Sequence, residues 1–186
     1  VAGIPLVEIR RTRLFGWGGF TKRLVDILGS LILLIVCSPI FLLTSIIIML
    51  ETGRPVLYKN ERVGRNGQRF FAYKFRSMYK NADQKQDELA HMNLMKGPVF
   101  KIKNDPRTTP IGRILRKSSI DELPQLVNVF LGHMSLVGPR PPLVAEVMEY
   151  DYWHRRKLSV KPGITCLWQV NGRNEISDFD EWMRLD

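Results

Sequence analysis

Asp121 and Glu122 stand side by side, just ahead of Leu123, Leu126, Val127 and Phe130, which recur at helical spacing. Paired carboxylates at the start of a helix are candidates for catalytic work. They are equally good helix-start residues, because acids in a first turn gain about 0.3–1 kcal/mol from the macrodipole. Ser119-x-x-Glu122 is a capping-box pattern, and Pro124 suits only a first turn, so a helix is expected to begin at Ser119 or nearer Asp121. A second candidate is Arg140, set between Pro139 and Pro141. An arginine so fixed loses little backbone freedom on binding, so its fork is pre-aimed at an anion. The plainer alternative is a proline-rich turn with a solvated arginine.

Other chemistries lack their residues. There is no Walker loop, Rossmann glycine fingerprint, nucleophile elbow or His-Glu-x-x-His helix. His91, His133 and His154 are not paired at ligand spacing, which speaks against a His/Cys metal site. Only Cys37 and Cys166 are present, and two reduced thiols in a cytosolic redox setting are expected. With 186 residues, 45% of them hydrophobic, the chain is long enough for one folded domain or one domain with an appendage.

The net charge of +10 is unevenly spread: +4 over residues 1–23, −1 over 24–50, +10 over 51–120 and −3 over 121–186. Nucleic acid, anionic lipid or a phosphorylated ligand would each suit the basic segments. Between them, Ile27 to Leu50 runs 24 residues without a charge, 18 of them hydrophobic. A straight helix of that length rises about 36 Å, enough to cross a bilayer core of ~30 Å. Ser38-Pro39 interrupts it near the middle, where proline removes a backbone donor and a neighbouring hydroxyl can satisfy a freed carbonyl. Each half, at roughly 18 Å, is too short to span. Both flanks are basic and prefer the cytoplasmic face. A hairpin that enters and leaves on one side is therefore favoured over a kinked spanning anchor. Asp26 lies at helical spacing from Lys22 and Arg23, and Trp17 and Phe20 suit an interfacial approach.

Downstream, Pro55–Tyr58 reads as a strand, Asn66-Gly67 as a turn, and Phe70–Phe75 as a second strand, giving a β-hairpin between residues 55 and 77. Residues 79–95 read as a polar helix, and the prolines at 98, 106 and 110 punctuate loop. Residues 164–170 read as a buried strand or loop, and Trp153, Trp168 and Trp182 as core or interface anchors.

Seven segments occur in order: Lys22-Arg23 with Asp26, Ser38-Pro39, Lys74-Phe-Arg-Ser-Met78, Asn104-Asp-Pro-Arg107, Ser119-Ile-Asp-Glu-Leu-Pro-Gln125, Met134-Ser-Leu-Val-Gly-Pro-Arg-Pro141 and Lys161-Pro-Gly-Ile-Thr165. Together they resemble the bacterial polyprenyl-phosphate phosphoglycosyl transferases of the monotopic type, from about residue 20 to the end. His133 and Cys166 depart from the aspartate and glycine usual at those places.

The resemblance implies an α+β, mainly helical fold: a re-entrant membrane hairpin broken at Ser38 and Pro39, and a small cytoplasmic catalytic domain with a short β-hairpin. The expected division is a basic interfacial lead-in over 1–21, the hairpin over 22–50 and the catalytic domain over 51–186, its C-terminus truncated. The implied reaction moves a sugar 1-phosphate from a UDP-sugar, with a lean to a hexose, to undecaprenyl phosphate. UMP is released, and the product begins a capsule, exopolysaccharide or O-antigen at the cytoplasmic face of the bacterial inner membrane. Asp121 is implied as covalent nucleophile, and Glu122 as the holder of Mg2+. Arg116 and Arg140, with Pro139 and Pro141 beside it, are placed on phosphate oxygens. An aspartate needs no general base, since it is ionised at neutral pH. The expected partners are UDP-sugar, undecaprenyl phosphate and the bilayer, not nucleic acid, and a homo-oligomer is left open. Two rivals remain: a membrane-anchored, non-catalytic module binding anionic lipid or nucleic acid, and a direct displacement in which Asp121 is only a metal ligand.

Overall fold

A computed structural model describes residues 16–82, 84, 87–93, 102 and 104–166. Helix dominates them. The chain opens with α1 (Trp17–Val36) and α2 (Ser38–Thr52), bent by 58° at Cys37. Pro39 lies in the first turn of α2, where its missing N–H is no loss, and the Ser38 hydroxyl donates to the Ile35 carbonyl at 2.7 Å. Among the described residues no single helix is long and apolar enough to cross a membrane.

These two helices bury several polar residues and expose many apolar ones. Asp26, Ser30 and Thr44 are buried, whereas Leu28, Ile32, Ile35, Leu42, Leu43 and Leu50 are exposed. The polar side chains are spent on docking. The Asp26 carboxylate accepts from Lys22 Nζ at 2.7 Å, from the Leu136 N–H at 3.0 Å and from the Ser135 hydroxyl at 3.1 Å. Arg23, the other candidate partner, instead donates to the Val129 and Phe130 carbonyls at 2.7 and 2.8 Å. It thereby satisfies the open C-terminal end of a later helix, α4 (Gln125–Leu131).

The expected β-hairpin forms from β1 (Leu57–Val63) and β2 (Arg69–Phe75), antiparallel from the Leu57–Phe75 pair to Val63–Arg69. Its first strand starts two residues later than the sequence suggests and runs longer. Asn66 and Gly67, at φ 58° and 78°, adopt the left-handed backbone that the turn needs. The hairpin is joined to α4 by one side chain. Asn128, fully buried, accepts from the Tyr73 N–H at 3.0 Å and donates to the Phe71 carbonyl at 2.8 Å, taking the place of a third strand. Asn128→Ala would leave both backbone groups without their partner, at about 1–3 kcal/mol each. Urea unfolding should show a lowered midpoint with an unchanged slope.

Phe70 and Ala72 pack on Val129 and Met134, and Phe75 on Ile48 and Leu115. The second cluster ties α2 to α3 (Pro110–Ser118). After α4 come β3 (Ser135–Val137), α5 (Val144–Met148) and β4 (Gly163–Thr165). β3 and β4 pair in parallel, a contact no local pattern announces. Their approach requires glycine, because a Cβ on Gly163 would fall 2.1 Å from the Gly138 nitrogen.

Two expectations are corrected. Over 79–95 the described residues form turns and a 3-10 helix, Asp87–Met92, in place of a continuous polar helix. With few apolar residues over this stretch, a long helix would have no face to bury. The Ser119 capping box does not form either. Ser119 has φ 59° and ends α3, a 3-10 turn spans Ile120–Glu122, and α4 starts only after Pro124. Neither Cys37 nor Cys166 forms a disulfide. Trp153 is partly exposed and packs on His154, while Trp168, Trp182 and residues 167–170 lie outside the described residues.

Candidate active site

Asp121 and Glu122 sit in the 3-10 turn between α3 and α4, where successive side chains diverge by about 120°. The turn is held from both sides. Upstream, the Thr109 side chain caps α3 by accepting from the Gly112 N–H at 2.8 Å, and Ile111 and Leu115 pack into the core. Downstream, Leu126 and Val129 bury the inner face of α4. Asp121 is 7% exposed, so its carboxylate is presented to a cavity and not to bulk solvent.

That cavity has a volume of about 650 Å³ and collects side chains from the β-hairpin, α3, the turn after it and α5. Asp121, Glu122, Arg116 and Arg140 all line it. Pro139 and Pro141 do not. Their carbonyls are used structurally, accepting from the Gly163 N–H at 2.9 Å and from Arg62 at 3.1 Å. Ser38 and Pro39 are also apart from it, at the bend of the helix pair.

Several lining groups were not singled out from sequence. Lys74 donates to Glu122 Oε1 at 2.7 Å and so fixes that carboxylate. Glu146, 1% exposed, receives both arms of Arg140 at 3.0 and 3.2 Å. Arg62 is buried beside them, and its guanidinium is pushed down to about 10. Burial is the largest cause and the neighbouring Arg140 the next, with Glu146 and Glu122 opposing. One nitrogen of Arg76 is buried with no hydrogen-bond partner among the described residues. A signal for some of these was present. Tyr58, Asn60 and Arg62 alternate along β1, so one face of that strand is polar and lines the cavity.

Among the described residues, seven basic side chains and three acidic ones line the cavity. An under-neutralised pocket of guanidinium groups, one with an unpartnered nitrogen, is built for a multiply charged anion such as a diphosphate. The Asn104-to-Arg107 motif braces the rim. Arg107 clamps Asp105 through bonds of 2.7 and 2.9 Å and donates to the Ala82 carbonyl at 3.3 Å. Burial raises the Asp105 carboxyl, but the bonds and charge of Arg107 outweigh it, and the group titrates below its ordinary value.

Among the described residues no three His, Cys, Asp or Glu side chains form a cage for a metal ion. The Glu122 carboxylate beside this basic cavity would nevertheless suit Mg2+, which typically takes one or two carboxylates and completes its shell with water and substrate phosphates.

Gly112 positions Arg116. A Cβ at Gly112 would lie 2.0 Å from the Ser77 carbonyl oxygen, and the Ser77 hydroxyl accepts from Arg116 Nε at 2.9 Å. Gly112→Ala must push α3 and the segment after β2 apart. The expected cost is about 1–3 kcal/mol, with at least a ~10-fold loss of turnover. Thermal unfolding and steady-state rates read the two effects.

Three relatives agree with one another. The chain is 52% identical over 168 residues to the galactosyl transferase CpsE of Streptococcus agalactiae, covering 89% of this chain and 36% of the relative. It is 42% identical over 164 residues to the exopolysaccharide production protein ExoY of Rhizobium meliloti, covering 86% and 73%. It is 37% identical over 186 residues to the UDP-glucose:undecaprenyl-phosphate glucose-1-phosphate transferase of Escherichia coli, covering 97% and 37%. The chain thus spans little more than a third of the length of CpsE and of the E. coli enzyme. The family model for bacterial sugar transferases matches residues 17–186, and the chain belongs to that family.

Proposed function

We propose that this chain is a phosphoglycosyl transferase that moves a hexose 1-phosphate from a UDP-hexose to undecaprenyl phosphate, through a phosphosugar held on Asp121. The observation that carries this is the convergence of Asp121, Glu122, Arg62, Arg76, Arg116 and Arg140 on one cavity. The names of the E. coli relative, which gives donor and acceptor outright, and of CpsE, a galactosyl transferase, support the substrate classes.

In this mechanism a carboxylate oxygen of Asp121 attacks the sugar-linked phosphorus of the donor. The bond from that phosphorus to the bridging oxygen breaks, and UMP leaves with the electron pair. The resulting mixed anhydride keeps enough transfer potential for an oxygen of the lipid phosphate to displace Asp121, giving a lipid diphosphate sugar. Little covalent help is required of the protein, so charge neutralisation and positioning dominate. Arg116 and Arg140 bind phosphate oxygens, and the unpartnered nitrogen of Arg76 adds a donor. Lys74 orients Glu122. Mg2+ on Glu122 would neutralise further phosphate charge.

The helix pair serves as the membrane seat. Its buried polar and exposed apolar residues suit lipid contact, and its bend allows entry and exit on one face. The Glu51 side chain near its end accepts from the Ile111 N–H at 3.1 Å, tying the hairpin to the helix that carries Arg116. A polyprenyl tail can then stay in the bilayer while its phosphate reaches the site. The product would start a surface glycan at the cytoplasmic face of the inner membrane.

The test is UMP release from a panel of UDP-sugars, with undecaprenyl phosphate in detergent or nanodiscs. One UMP per lipid-linked sugar is expected, with a UDP-hexose preferred. UMP formed without a lipid product, or from no donor in the panel, would refute the assignment.

A further inference from the structure

A second basic cavity, of about 290 Å³, lies outside the active site at the tip of the β-hairpin. Arg65, Asn66, Gln68 and Arg69 of the turn line one side, and Gly132, His133 and Lys161 the other. Among the described residues, three cationic side chains and two amides line it, and no carboxylate does. His133 is exposed and its ring stacks on Phe70 of β2, with centroids 5.9 Å apart, linking the two sides.

Charge here is in surplus. Burial, and then Arg23, push the Lys161 ammonium below its ordinary value; Asp26 holds it up, and Arg65 and Lys22 lower it further. Asp26 is already committed to Lys22, Ser135 and Leu136. Arg69 reaches Glu61 at 3.6 Å. Of the cations around Lys161, Lys22 is paired with Asp26, whereas Arg23 and Arg65 meet no carboxylate among the described residues.

Its location says which anion would reach it. Gly132 packs on the guanidinium of Arg23, a Cβ there lying 3.1 Å from it, and Arg23 belongs to the first turns of α1 with the exposed Trp17 and Phe20. If α1 is seated in lipid as proposed above, on which this inference rests, the cavity opens where its apolar stretch gives way to charge. That is headgroup depth, and the cytoplasmic leaflet is rich in anionic lipid.

We propose that the cavity formed by Arg65, Arg69, His133 and Lys161 is a binding site for a phosphate group, supplied by the headgroup of an anionic phospholipid. The bound lipid would hold the catalytic domain in a fixed orientation on the membrane surface, independently of substrate.

Monomeric short-chain phosphatidylglycerol, titrated into the full chain and followed by native mass spectrometry, tests this without a bilayer. The wild type should carry one adduct more than Arg65→Gln/Lys161→Gln. The exposed pair Arg65→Gln/His133→Asp, which leaves the half-buried Lys161 intact, should also lose that adduct. Loss of a charge-assisted contact, joined by a second such loss in the first variant and by an introduced carboxylate in the second, weakens binding at least about tenfold. Short-chain phosphatidylcholine should not compete. Equal adducts in wild type and both variants, or equal retention of the zwitterionic lipid, would overturn the site. Inorganic phosphate displacing the lipid at equal concentration would keep the anion site but overturn its assignment to lipid. Flotation with pure phosphatidylcholine vesicles reads the hairpin separately. It should be unchanged in the variants, and a wild type that fails to float would defeat the membrane seat while leaving the adduct result intact.

Discussion

Asp121→Asn should lower kcat by at least about 10³-fold and abolish any covalent sugar-phosphate adduct, while the protein remains folded. The size of the effect follows from the chemistry. An amide oxygen is a far weaker nucleophile than a carboxylate oxygen, and groups that act as one unit lose nearly everything when one is removed. The exchange is nearly isosteric at a side chain only 7% exposed, so the loss of activity should far exceed any change in stability from the lost charge. Incubation of wild type with donor and Mg2+, acceptor omitted, should release one equivalent of UMP and add the mass of a hexose phosphate to a peptide containing residue 121. Steady-state rates should be ping-pong. Glu122→Gln should also lose turnover, and the Mg2+ requirement should shift, because the carboxylate next to Lys74 becomes neutral. Substantial turnover in Asp121→Asn, or a two-substrate pattern requiring both ligands bound together, would exclude the covalent route and favour direct displacement.

The legible part of this site is instructive about where sequence reasoning reaches. Asp121, Glu122 and Arg140 stand out by type and spacing and Arg116 through the family resemblance, and the structure gathers all four around one cavity. The break at Ser38-Pro39 was equally readable, since proline and an adjacent hydroxyl have a local consequence. Lys74 and Glu146 were not. Lys74 meets Glu122 across 48 residues of chain, and Glu146 matters because it is buried under Arg140, a fact of packing. Asn128 looks like one more polar helical residue until the backbone of β2 is placed against it. The capping-box pattern misled because the left-handed turn at Ser119 ends one helix before the next begins, leaving the acids in a turn of their own. Local signals locate reactive groups, whereas the partners that orient them are set by tertiary contacts.

Glu146 is where that dependence should be most costly to disturb. The carboxylate is 1% exposed, accepts both arms of Arg140 and also receives the Leu143 N–H at 3.1 Å, at the start of α5. Glu146→Ala removes the countercharge from Arg140 and from the buried Arg62 beside it. Breaking a buried pair by deleting one partner costs about 3–5 kcal/mol, because the remaining charge stays desolvated. At 2–4 °C per kcal/mol for a chain of this size, Tm should fall by roughly 10 °C. The same change frees the Arg140 fork, so the KM for donor should rise along with the loss of stability. A second variant separates the two effects. Replacing both partners, as in Arg140→Met/Glu146→Met, substitutes apolar side chains for the pair and should recover most of the Tm, since such exchanges are often neutral or stabilising. Turnover should not recover, because the fork that binds phosphate is gone. Recovery of both would mean that Arg140 serves the fold alone, and the donor phosphates would then have to rest on Arg62, Arg76 and Arg116.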